Sequence, residues 1–204
     1  MKKIIALLMV VMMIGLTACG EKDVDILDNG IVDSNEILDT DRTKGEILFD
    51  GKVLQFPFKF SELKTMGWQV TFVPEKTDSV EWSNLELKNA KYNSENITVY
   101  ANFNPIEDGD ISDYEVTGIE VMMWSASKDE EKPLVSIDGV VYGDTQEKAD
   151  ECLGKVDRET PKAERYVKTY TYYSEETQSV LGTVMVGFSE DEGVKALGMH
   201  YYKR

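Results

Sequence analysis

The chain has 204 residues, a single histidine, and 38 acidic against 22 basic side chains, for a formal charge of −16 at pH 7. That balance excludes a nucleic-acid binder, which must neutralise phosphates with Lys and Arg, and a surface that lies on anionic lipid. One histidine excludes a multi-histidine metal site.

Lys2 and Lys3 precede an apolar run from Ile4 to Leu16 that is short for a bilayer span, and Leu16-Thr17-Ala18-Cys19 closes it with small residues. This is the layout of an export signal occupying residues 1–18. The Leu, small, small, Cys pattern resembles the lipobox of bacterial lipoproteins. The resemblance implies that Cys19 carries a diacylglyceryl group, that the chain is cut just before it, and that the mature protein is anchored in the cell membrane, on its extracytoplasmic face, through that lipid. Cys152 is then the sole free thiol and no internal disulfide can form. Cys152 falls on one helical face with Ala149 and Leu153, as a core residue would. Residues 19–44, rich in Asp and Glu and without a sustained period, read as an acidic tether. The remaining ~160 residues suffice for one ordinary hydrophobic core.

From residue 45 the pattern repeats, predicting two units, 45–127 and 128–204. Asp50-Gly51-Lys52-Val53 is echoed by Asp138-Gly139-Val140-Val141. A short helical segment follows each: 61–67, with Ser61 as the expected N-cap, and 144–154, where Asp144 and Glu147 have capping-box spacing. Gly67 and Gly154 suit the residue after a helix. Thr98–Phe103 then aligns with Thr183–Phe188, and Val116–Trp124 with Val194–Tyr202. Trp68–Val73, Leu85–Lys91, Leu134–Ile137 and Arg165–Tyr173 complete the predicted strands through their β-branched and aromatic content. The expected class is α+β: two tandem repeats, each a short helix packed on an antiparallel sheet.

A tandem unit of this kind, whose second helix is introduced by Gly143-Asp144-Thr145 and ends in Leu153-Gly154, resembles the β-lactamase-inhibitor-protein-like fold and the SmpA/OmlA-type outer-membrane assembly lipoproteins. The first unit departs from that signature, with Pro57-Phe58 where the Gly-x-Thr would stand. The resemblance implies a fold more than an activity.

No nucleophile, metal cluster or cofactor motif follows the signal, so the expectation is a non-enzymatic protein without a cofactor. His200 is the one candidate base, and the sequence offers it no evident acid partner. Asp108, Asp110 and Ser112 stand at the first three oxygen positions of a calcium-type loop, but Asp113 replaces its Gly and Ile119 its bidentate Glu, so an acidic turn is expected.

Alternation assigns Ile97, Val99, Ala101 and Phe103, with Val184, Val186 and Phe188, to the core, together with Ile119, Val121, Met123, Leu197, Met199 and Tyr201. The opposite face then carries Tyr100, Met122, Trp124, Met185, His200 and Tyr202. Tyr166, Tyr170 and Tyr172 share one further strand face. Large apolar side chains held away from a core mark interaction surfaces. The expectation is an open aromatic face that binds an envelope or extracellular protein or peptide; alternatives are an assembly scaffold and a carbohydrate-active or peptidase accessory enzyme.

Overall fold

Two Asp-Gly turns organise the chain. In the computed structural model, which describes residues 40–71, 83–93, 95–104, 110–127, 129–162 and 165–202, Asp50 and Gly51 have φ of 50° and 80°, and Asp138 and Gly139 have 49° and 80°. Two successive positive φ values make a turn whose twist matches that of the strands it joins. The hairpins are β1 (Glu46–Phe49) with β2 (Lys52–Gln55), and β8 (Val135–Ile137) with β9 (Val140–Val141). They pair antiparallel through β1 and β8, Leu48 opposite Ser136, into a sheet ordered β2-β1-β8-β9.

After the first hairpin come β3 (Phe58–Lys59), α1 (Phe60–Thr65), β4 (Gln69–Val70), β5 (Ser83–Lys88), β6 (Thr98–Asn104) and β7 (Glu115–Met122). After the second come α2 (Gln146–Leu153), β10 (Arg158–Lys162), β11 (Arg165–Tyr173), β12 (Val180–Ser189) and β13 (Gly193–Tyr201). These strands form one antiparallel sheet ordered β10-β11-β12-β13-β7-β6-β5-β4, with β3 also pairing β7. The fold is thus mostly antiparallel sheet, and the helices, of six and eight residues, are minor elements. The antiparallel sheet of the expected α+β class is present, and the helices are shorter than the expected segments 61–67 and 144–154: α1 ends at Thr65 and α2 begins only at Gln146.

The sequence alignment of the two halves carries one ladder onto the other. Thr98 faces Met122 and Asn102 faces Gly118; their counterparts Thr183 and Gly187 face His200 and Ala196. A register shift falls between Asn102 and Phe103 and, at the aligned place, between Gly187 and Phe188. Where β7 meets β13, Ile119 faces Met199 and Val121 faces Leu197, which exchange under the same alignment, and Glu120 faces its own counterpart, Gly198.

One face of the large sheet packs against the small sheet and both helices. Val99, Ala101, Phe103, Ile119, Val121, Val184, Val186, Phe188, Leu197 and Met199 are buried, in one cluster with Ile47, Phe49, Ile137, Phe60, Leu63, Ala149 and Leu153. Ile97 and Met123 join them, while Tyr201 is only half-buried. Tyr170 and Tyr172 also point inward and are buried, and Tyr166 stacks on Phe188 with ring centroids 5.1 Å apart. That strand face is therefore core, since Tyr170 faces the buried Val184 across the ladder.

Local chemistry corrects several expected details. Lys59, not Ser61, precedes α1 and makes no side-chain cap; Thr145 caps α2 through Lys148 N–H, while Asp144 accepts from Val141 N–H at 2.8 Å. Cys152 is half-buried, with Ala149 and Leu153 forming the buried stripe. Strand β4 is shorter than expected, and residues 72–73 of the predicted strand are outside the described residues. Residues 40–44 were assigned to the tether, yet Thr40 is buried and its Oγ1 accepts from Asp138 N–H at 2.8 Å. The backbone N–H and guanidinium of Arg42 hold the Asp138 carboxylate, and the guanidinium also donates to the carbonyls of Cys152 and Leu153 at the end of α2. Residues 1–39, Cys19 among them, and Asp108 and Gly109 of the acidic turn lie outside the described residues. Asp110 caps the following 3-10 turn through Ser112 N–H.

Candidate interaction face

The sheet face turned away from the core is laid out by cross-strand rows. One row runs Glu86, Tyr100, Glu120, Gly198, Met185, Thr169, Arg158. The next runs Asn84, Asn102, Gly118, His200, Thr183, Thr171. On the other side lie Thr98, Met122, Ala196, Gly187 and Val167. Side chains facing each other across such pairs have Cβ atoms about 4.5–5.5 Å apart.

Small residues form the floor. A Cβ on Gly187 would meet the Trp124 indole at 2.6 Å, one on Gly198 the Glu120 Cγ at 2.7 Å, and one on Gly118 the His200 Cγ at 3.2 Å. Trp124, Glu120 and His200 therefore occupy space that a side chain at Gly187, Gly198 or Gly118 would take. Leaning over Gly198 carries Glu120 diagonally to the neighbouring row, where its Oε1 is 2.6 Å from His200 Nε2. Asn102 Nδ2 stands 3.4 Å from the same nitrogen. The pair is partly open to water, the His200 and Glu120 side chains being 26% and 19% exposed. It orients an imidazole beside a carboxylate.

All six residues assigned to this face are on it, but they do not form one apolar patch. Tyr100 and Met185 share a row, Met122 lies in the row beside it, and Trp124 covers Gly187. Strands β7 and β13 run in opposite directions, so Trp124, just past β7, and Tyr202, just past β13, are at opposite ends of their ladder. Tyr202 is 42% exposed, with its hydroxyl 3.4 Å from Thr183 Oγ1. Between those ends stand Glu120, His200 and Asn102. Sequence reading assigned His200 no acid partner because Glu120 is 80 residues away and meets it only through the β7–β13 register.

On the core side of the sheet, a groove of about 740 Å³ opens where α2 begins, lined by Tyr142, Gln146, Glu147, Tyr166, Phe188 and Glu190 among others. Burial raises the Tyr166 phenol above its ordinary range, and Glu159, Asp150, Glu147 and Glu190 push it the same way. Below this groove Lys195 is buried, and its ammonium reaches the Ala126 carbonyl, Tyr142 hydroxyl and Glu192 carboxylate at 3.0, 2.7 and 2.8 Å. Among the described residues, no group of three or more His, Cys, Asp and Glu side chains is placed to hold a metal ion, and no helix is long and apolar enough to cross a membrane.

The chain matches no protein-family model, and comparison with curated proteins and with solved structures also returns no match.

Proposed function

We propose that this protein is an exported lipoprotein, held by Cys19 at the extracytoplasmic face of the membrane, that binds an envelope or extracellular protein or peptide through the open face of a tandem-repeat sheet. The supporting observation is the face itself: a glycine floor, aromatic and methionine side chains, and the Glu120–His200 pair at its centre. A surface that combines aromatic and methionine side chains has the composition of protein-binding sites. Membrane attachment rests on the lipobox resemblance alone. The tandem reading, two units of a short helix on an antiparallel sheet, is supported by the aligned turns, register shifts and exchanging pairs.

Photo-crosslinking residues placed at Tyr100 or Tyr202 in the full chain test the binding site, with the exposed Lys64 beside α1 as the control position. Protein adducts at the face positions and none at Lys64 are expected. Equal yields at all three would remove the face from consideration.

The accessory-enzyme reading draws support from one observation, the His200–Glu120 hydrogen bond, because a carboxylate-oriented imidazole can move protons. Turnover of a glycan or peptide panel that disappears in His200→Ala would favour it over binding.

A further inference from the structure

We infer that residues 40–44 are a detachable strap, which closes the second unit where an aromatic lock closes the first, and which opens without unfolding the sheet. Asp50 and Asp138 match under the alignment of the two halves, with φ of 50° and 49°. Asp50 is held from within its own unit. Its carboxylate accepts from the Trp68 indole N–H at 3.0 Å and from the Tyr92 hydroxyl, and those two rings stack with centroids 5.6 Å apart. Trp68 follows Gly67 just past α1 and is buried. In the second unit the residue after Gly154 is Lys155, which is exposed. Arg42 takes the role instead, joining the Asp138 carboxylate to the carbonyls of Cys152 and Leu153 at the end of α2, where a cation suits the helix terminus. Thr40 accepts from the Asp138 N–H at 2.8 Å.

The two closures differ in how firmly they hold. Trp68 packs against Phe49 as well as Tyr92, inside the core. Among residues 40–44 only Thr40 is buried, and Thr43 and Lys44 are exposed. Arg42 Nε is buried with no hydrogen-bond partner among the described residues, which costs the closed form free energy. Burial also raises the Asp138 carboxyl above its ordinary range, and the Arg42 bonds and charge that act the other way do not cancel the rise. A segment with few buried contacts and incompletely paired polar groups opens at less cost than the sheet beside it. Its boundary is Gly45, at φ 78°, whose carbonyl accepts from Phe56 N–H at 2.8 Å and which lies too close to the Tyr201 ring for an unstrained Cβ. On the lipoprotein reading the strap is the joint between the lipid anchor and the second unit; the strap itself does not depend on that reading.

Native-state hydrogen exchange on the detergent-solubilised full chain tests the strap. The amides of Arg42, Asp138 and Gly154 donate to Asp138, Thr40 and Asp150 respectively. In the wild-type chain they should exchange through one shared opening, populated about tenfold or more above the opening that exposes the amides of β13. Arg42→Ala should raise the population of that shared opening by a further factor of about ten or more, while the Trp68 indole N–H and the β13 amides keep their wild-type protection. Wild-type strap amides that exchange only together with β13 would overturn the inference, because the segment would then be an inseparable part of the fold. Protection lost throughout the chain in Arg42→Ala would overturn it in the same way, and protection unchanged at Asp138 and Gly154 would show that Arg42 closes nothing. Fatty-acid labelling of the wild-type chain and Cys19→Ala decides the lipid anchor separately and leaves the exchange result as it stands.

Discussion

Lys168 and Asp150 form a two-point ion pair, Nζ lying 2.9 and 2.7 Å from the two carboxylate oxygens, which ties β11 to α2. The Lys168 side chain is only 4% exposed and Asp150 36%, and Tyr170 donates to the same carboxylate at 2.7 Å. Asp150→Ala strands a buried ammonium and a phenol. It should cost about 2–3 kcal/mol, less than the ~3–5 of a fully buried pair because water reaches Asp150. A urea midpoint indistinguishable from wild type would refute that role.

The same pair predicts an acid dependence. Burial works to raise the Asp150 carboxyl, but hydrogen bonds from Lys168 and Tyr170, with the Lys168 charge, bring it below the ordinary range. A depressed folded value adds stability that is present above the unfolded value of about 3.9 and is lost as pH falls through the folded one. The stability gap between wild type and Asp150→Asn should therefore narrow below about pH 4. A gap unchanged from neutral pH into that range would contradict the assignment.

Phe103 and Phe188 occupy aligned positions beside the two register shifts, and both are buried. Each truncation to Ala should cost about 3–5 kcal/mol. Chemical denaturation of the two variants measures this directly, and a loss under about 1 kcal/mol at either site would show that its surroundings collapse freely.

Two glycines should respond differently to alanine. At Gly182 a Cβ runs into the His200 carbonyl and the Tyr172 hydroxyl, and the backbone atom cannot move aside, so stability should fall by about 1–3 kcal/mol or more. At Gly198 the nearest atom is Glu120 Cγ at 2.7 Å, with Glu120 Cα and the Ile119 carbonyl at 3.0 and 3.1 Å, so a Cβ there presses less hard on backbone than at Gly182 and pushes the Glu120 side chain, with its carboxylate, from its place beside His200. With one histidine in the chain, its imidazole NMR signals are unambiguous. They should move in Gly198→Ala, and unmoved signals would mean that Gly198 does not set the pair.

On the proposed face, Tyr202→Ala should weaken partner binding by about 2 kcal/mol, as an aromatic anchor does, while changing stability by no more than about 0.5 kcal/mol. Trp124→Ala removes the cover over Gly187 and should lower both. Partner affinity and denaturant midpoint on the same variants separate the two effects. A Tyr202→Ala stability loss approaching that of Phe103→Ala would make this residue core.

The turns and the core faces were legible in the sequence because each depends on neighbours. Asp-Gly is the residue pair that a doubly left-handed turn needs, and alternation alone sorted Val99, Ala101 and Phe103 from Tyr100 and Asn102. What remained hidden depends on register between distant strands. Lys168 in β11 looks like a solvent residue until Asp150 comes from α2 to meet it. His200 looks solitary until β7 brings Glu120. The helix caps were misjudged because Asp144 turned its oxygen back to Val141, leaving Thr145 to cap.

Arg42 gives the fold a directional mechanical property. Its guanidinium and N–H bind the Asp138 turn and the last carbonyls of α2, just before β1 begins at Glu46. Tension arriving along the N-terminal segment therefore loads the second hairpin and its helix in parallel with β1, so the first strand is not peeled alone. Substituting Arg42 would move the load onto β1 and lower the force at which that strand detaches, with little change in the sheet face on the far side.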